Sequence, residues 1–132
     1  MEALLIAPFD ASAQSLRDTV ESALMDVGVR MKMADVEAGV DLADVLTDAI
    51  TSADLVIADV SGENPNVFYE LGYAHALRKN TILLVSKDAS PKLPFDLAGM
   101  YYRSYDPQNL RELGDYLRRR VSGLKQRREA VA

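Results

Sequence analysis

The chain has 132 residues, 48% hydrophobic and 27% charged, which suits one domain with a single buried core and an ordinary globular composition. It contains no cysteine, so disulfides, thiolate catalysis and Cys-ligated zinc are excluded. A net charge of −5 argues against general nucleic-acid binding, and no apolar run is long enough to span a bilayer.

The elements follow one another at short spacing. The run Ala3-Leu4-Leu5-Ile6-Ala7-Pro8 predicts a central strand covered on both faces. Phe9-Asp10-Ala11 is a loop, and Ser12 is the expected N-cap of a helix from about Ala13 to Asp26. Leu16, Val20, Ala23, Leu24 and Val27 recur on that helix at helical spacing, and Gly28 stops it. Val29 to Ala34 alternates Val and Met with Arg and Lys, the pattern of a half-covered strand near a sheet edge. A polar loop leads to Asp41, the expected cap of a second helix carrying Leu42, Val45, Leu46, Ala49 and Ile50.

Leu55 to Val60 reads as a buried strand, Ser61 to Asn64 as a turn, and Pro65 as the first residue of a third helix. Asn80 to Ser86 is another buried strand, followed by a loop containing Pro94-Phe95-Asp96-Leu97. Tyr101 to Tyr105 is the last strand. Asp106-Pro107 reads as cap and first residue of the final helix, whose inner face holds Leu110, Leu113, Leu117, Val121 and Leu124. The tail after Lys125 is expected to fray.

Strand and helix alternate five times without repeat, linker or low-complexity segment, so residues 1–132 read as one domain. The simplest architecture is an α/β three-layer, flavodoxin-like sandwich around a five-stranded parallel sheet of order 2-1-3-4-5. In that order the chain reverses direction beside strands 1 and 3, and the crevice there gathers Phe9, Asp10, Asp59, Ser61, Asn64, Asn66 and Glu70.

Glu70 is the sharpest signal. It lies in the second turn of the third helix, at the border of the face formed by Val67, Leu71, Ala74 and Leu77, where a carboxylate loses hydration unless it meets a pocket or a partner. The nearby helix N-terminus is expected to favour its ionised form. Such a group suits a nucleophile, or an anion that stabilises an oxocarbenium-like sugar. The competing reading is a surface glutamate paired with Arg78 or Lys79. Asp59 ends a buried strand and either caps the next turn or points into the crevice. Asn64 reads as a helix cap, and Asn66 could turn its amide toward a ligand hydroxyl. Tyr69 reads as packing. Phe9 either stacks on a base or plugs the core, and Phe95 anchors its loop over the sheet edge.

Other chemistries lack their residues. His75 is the only histidine and there is no H-E-x-x-H arrangement, so no metal site is expected. No G-x-S-x-G elbow supports a serine triad. The turn Pro8 to Ser12 has no glycine, which excludes the G-x-G-x-x-G fingerprint and the P-loop. A phospho-acceptor receiver domain would need a second acid beside Asp10 and a lysine after strand 5, where the chain has Ala11 and Ser104 or Tyr105. From Arg111 onward seven Lys/Arg face three Asp/Glu, so a basic last helix joins an acidic body. It could meet a second copy or a polyanion; a solvated helix whose cationic end complements its dipole is the simpler reading.

The segment A-D-L-V-I-A-D-V-S-G-E-N-P-N-V-F-Y-E-L-G-Y-A-H-A-L (residues 53–77), followed by a strand and then P-F-D-L, resembles the nucleoside 2-deoxyribosyltransferase-like superfamily, in particular its small stand-alone, nucleotide-binding or TIR-like members. The resemblance implies a flavodoxin-like fold and action at the N-glycosidic bond of a nucleoside, nucleotide or NAD-like ligand. It implies Glu70 as nucleophile at the anomeric carbon and Asp59 as the aid to base protonation or recognition, with Phe9, Asp10, Ser61, Asn64, Asn66 and Phe95 binding substrate. The Asp-x-Gly-Thr-like segment of the transferases is replaced here by Asn64-Pro65-Asn66-Val67. A non-catalytic nucleotide sensor of the same fold is the alternative. No cofactor is implied. A cytoplasmic location is expected, since Met1 leads into Leu4-Leu5-Ile6 without a basic segment or cleavage site. A homodimer is expected from exposed hydrophobes such as Met31 and Met33 and from the resemblance.

Overall fold

Three apolar runs set the centre of the sheet. The computed structural model describes residues 1–7, 13–33, 42–92 and 102–130. Its elements are β1 (Glu2–Ile6), α1 (Gln14–Asp26), β2 (Arg30–Lys32), α2 (Leu42–Ser52), β3 (Leu55–Asp59), α3 (Pro65–Ala76), β4 (Asn80–Ser86), β5 (Tyr102–Tyr105) and α4 (Arg111–Ala130). The strands form one parallel sheet ordered β2-β1-β3-β4-β5, as the sequence predicts. β1, β3 and β4 are buried on both faces, which is why they are apolar without alternation.

The two-residue period of each strand sorts its side chains into two cores. Leu5, Leu55, Ile57 and Leu84 pack against Val20 and Leu24 of α1 and Leu117 and Val121 of α4. Leu4, Ile6, Val56, Ala58, Leu83 and Val85 pack on the other face against Ile50 of α2 and Val67, Leu71 and Ala74 of α3. α1 and α4 therefore form one outer layer and α2 and α3 the other.

Several local expectations change. Met31 and Met33, expected to be exposed on the edge strand, are half-buried against the α1/α4 core. Asp106-Pro107 does not open α4. The Asp106 carbonyl accepts the Asn109 N–H at 3.0 Å and its carboxylate accepts the Gln108 N–H at 2.9 Å, so the pair forms a tight turn. Asp-Pro is equally a turn signature, since proline's fixed φ suits the second residue of a turn. The helix starts four residues after Pro107. Its end does not fray after Lys125 but runs to Ala130. There the Lys125 ammonium donates to the Val27 carbonyl at 3.1 Å and Arg128 pairs with Asp54. Ser12, Asp41 and Tyr101 lie outside the described residues.

α1 ends in a Schellman turn: the Gly28 N–H reaches the Met25 carbonyl at 3.0 Å and the Val29 N–H the Leu24 carbonyl at 2.9 Å, with Gly28 at φ +74°. A Cβ at that residue would also stand 2.8 Å from the Lys125 nitrogen. Gly28→Ala is expected to cost about 1–2 kcal/mol, measured by urea unfolding, because alanine resists a positive φ.

Candidate active site

The carboxyl end of β3 is built around Asp59, the one buried charged residue among those described, 9% exposed. Alternation places its side chain with Leu55 and Ile57, on the α1/α4 face of the sheet. One carboxylate oxygen accepts the Ser61 N–H at 3.0 Å and the Ser61 hydroxyl at 2.6 Å; the other accepts the Tyr105 hydroxyl of β5 at 2.9 Å. The Ser61 oxygen in turn accepts the Ser86 N–H at 2.7 Å. Asp59, Ser61, Ser86 and Tyr105 thus tie the ends of β3, β4 and β5 into one network. Burial, then the adjacent Asp59 charge, push the Tyr105 phenol far above its ordinary pKa, so it stays a neutral donor.

The turn after Asp59 delivers the chain to the opposite layer. Asn64, in extended conformation, caps α3 by accepting the Asn66 N–H at 2.8 Å, and Pro65 takes the first helical position. Val67, Leu71 and Ala74 face the sheet. Glu70 sits on the flank of that stripe, half-buried, one turn after the exposed Asn66 and one turn before the half-buried Tyr73. Among the described residues its carboxylate has no hydrogen bond and no ion pair. Lys79, an expected partner, instead donates to the carbonyls of Thr51 at 2.7 Å and Ala53 at 2.9 Å.

Desolvation pushes the Glu70 carboxyl above its ordinary pKa of 4.5. This corrects the expectation that the helix N-terminus dominates: the dipole acts within the first turn, and Glu70 lies beyond it. A raised pKa makes the ionised carboxylate a stronger base and nucleophile.

The structure therefore brings Ser61 to Asp59 and Asn66 to Glu70, and puts the two acids on opposite layers. Phe9, Asp10 and Phe95 lie outside the described residues. Tyr69, expected to pack, is 63% exposed. Tyr105 is the site residue that sequence reasoning missed; a tyrosine closing an edge strand carries no local sign of a partner 46 residues away. Among the described residues no group of three His, Asp or Glu side chains could hold a metal, and no helix is long and apolar enough to cross a membrane.

The parallel sheet of this order, with helices on both faces, has the fold of nucleoside deoxyribosyltransferase-like and TIR-like domains. The chain is similar to the CMP N-glycosidase of Clostridium botulinum, with TM-score 0.67, 20% identity, and coverage of 89% of this chain and 98% of that one. It is similar to the 2-deoxyribosyltransferase of Bacillus psychrosaccharolyticus, with TM-score 0.63, 17% identity, and 88% and 92% of the two chains covered. The TIR domain of the Toll-related receptor TRR-2 from Hydra magnipapillata matches with TM-score 0.63 and 17% identity over 84% of this chain and 89% of that one. No protein-family model matches the sequence, and no curated protein matches it at significance.

Proposed function

We propose that the protein cleaves or transfers the N-glycosidic bond of a nucleoside, nucleotide or NAD-like ligand, with Glu70 as the catalytic carboxylate. The observation that carries this is a half-buried carboxylate with no partner among the described residues and a pKa raised by burial. An ionised group left in that state is unfavourable for the fold, and functional sites are where such groups are kept. The names of the similar structures, a CMP N-glycosidase and a 2-deoxyribosyltransferase, support the substrate class.

In this reading the Glu70 carboxylate attacks the anomeric carbon as the bond to the base breaks. The bond's electron pair leaves on the base nitrogen, which takes up a proton from solvent water. Water then hydrolyses the glycosyl ester, or a second base accepts the sugar, and access of water decides between them. Asn66, on the same flank of α3 with its side chain exposed, orients the sugar. Asn64 shapes the start of the helix. We assign Asp59 the positioning of Ser61 and the β3–α3 turn rather than contact with the departing base, because three donors already occupy its oxygens. The sequence expects Phe9, Asp10 and Phe95 to bind substrate; all three lie outside the described residues.

The test is incubation with a panel of nucleosides, nucleotides including CMP, and NAD, with released base followed by chromatography. Release that disappears in Glu70→Gln supports the proposal; no release from any member removes the enzymatic reading. Thermal stabilisation by a nucleotide without release would establish the alternative, a nucleotide-binding sensor. Ser61 donates its hydroxyl proton to Asp59 and accepts the Ser86 N–H, which leaves one oxygen lone pair for a sugar hydroxyl in either reading. A homodimer belongs to the same proposal, supported by Tyr69 on α3, Leu77 at its C-cap and Tyr102 on β5, which stay exposed. Light scattering on the eluting protein is expected to give twice the chain mass, and a monomer mass removes this part.

A further inference from the structure

The amino-terminal edge of the sheet, remote from Glu70, holds an open cleft of about 330 Å³ whose lining includes Asp54, Arg78, Lys79, Asn80, Leu124 and Arg128. We propose that this cleft is a second binding site, for the phosphate group of a small molecule, and that Arg78 is its principal ligand.

The first observation is conformational. α3 closes with the same turn as α1: the Arg78 N–H reaches the His75 carbonyl at 2.9 Å and the Lys79 N–H the Ala74 carbonyl at 3.0 Å. The left-handed position of that turn is filled by glycine in α1, at φ +74°, and by arginine in α3, at φ +55°. A Cβ is sterically unfavourable there, and glycine is the usual solution. An arginine kept in place of glycine brings a guanidinium to the cleft at a conformational cost, and strain of this kind collects at binding sites.

The second observation is electrostatic and independent of the first. Three cationic side chains meet at the cleft of a protein whose net charge is −5, against the one acid Asp54. Asp54 is already matched by Arg128. Burial alone would raise its pKa, but the Arg128 hydrogen bond and the Glu2 N–H outweigh that, and Asp54 stays ionised. Arg78 is exposed, and its guanidinium has no hydrogen bond or ion pair among the described residues. Lys79 uses two of its three ammonium donors on the Thr51 and Ala53 carbonyls, which fixes the nitrogen and leaves the third. A planar fork beside a fixed ammonium donor, with excess positive charge, recognises a phosphate. The volume lies at the small end of small-molecule sites, which suits a compact ligand and not a polymer.

The experiment is titration calorimetry of the full chain at low ionic strength with inorganic phosphate and with pyrophosphate, alongside Arg78→Gly and Arg78→Asn; asparagine tolerates the left-handed conformation. Saturable one-to-one binding is expected, with at least a tenfold loss of affinity in both variants. The Tm of Arg78→Gly is expected to be unchanged or up to about 4 °C higher than wild type. Glu70→Gln is expected to bind phosphate as the wild type does, which separates this site from the glycosidic one. Absence of saturable binding, equal displacement by chloride, affinity that survives both Arg78 substitutions, or a fall in Tm on Arg78→Gly would each overturn the proposal.

Discussion

Glu70→Gln is expected to lower base release by on the order of a thousand-fold or more while leaving the fold intact, as loss of a nucleophile does. The same substitution is expected to raise Tm at neutral pH. Burial raises the Glu70 pKa in the folded chain above 4.5, so its favourable contribution to stability is complete only below the unfolded value. That contribution is lost as pH rises through the folded pKa. Above the folded pKa the ionised carboxylate is a burden, and glutamine relieves it. Activity and stability should therefore move in opposite directions, measured by base release and by calorimetry on one preparation. The pH profile gives a second reading: kcat/KM should fall on an acid limb displaced upward from 4.5, because only the ionised form attacks. Turnover retained by the glutamine variant, or a Tm that drops with it, would sink the assignment.

The second large effect lies in the Asp59 network. Asp59→Ala leaves the buried Tyr105 hydroxyl and both Ser61 donors without their acceptor, and is expected to cost about 3–4 kcal/mol. Tyr105→Phe removes one hydrogen bond to a charged acceptor and is expected to cost about 2 kcal/mol. Urea unfolding measures both. Since Asp59 is assigned a positioning role, Tyr105→Phe should keep near-native kcat below its Tm with a changed KM, as the turn into α3 loosens. Asp59→Asn with an unchanged Tm and abolished kcat would instead return Asp59 to direct contact with the leaving base.

The reach of the sequence can be judged residue by residue. β4 has the bounds that its sequence predicts, because a continuous apolar run ahead of a polar loop has no competing period. The start of α3 was equally clear, since Asn-Pro fixes both a cap and a first helical residue. Asp-Pro before α4 misled for the opposite reason: the dipeptide serves a turn as well as a helix start. The Lys87 ion pair to Asp106 at 3.0 Å, from the neighbouring strand end, belongs to the turn. For Met31 and Met33, alternation identified the edge strand but not how far α1 and α4 extend over it.

The acids show the same division. That Glu70 borders an apolar stripe follows from helical spacing, a local property of one segment. That its ion-pair candidate Lys79 is taken by the carbonyls ending α2 depends on how two helices pack, and no spacing encodes it.

Periodicity and turn chemistry by themselves determined the alternation of strands and helices and the flank on which Glu70 stands, because each follows from interactions within a few residues; the strand order is the simplest one that right-handed crossovers and the family resemblance allow. Only the tertiary structure decided that the Asp59 and Glu70 side chains lie on opposite faces of the sheet, that Tyr105 and Ser61 hold the first, and that burial raises the pKa of the second. Those outcomes depend on which distant groups meet and which are kept from water, and such contacts are fixed when the sheet assembles.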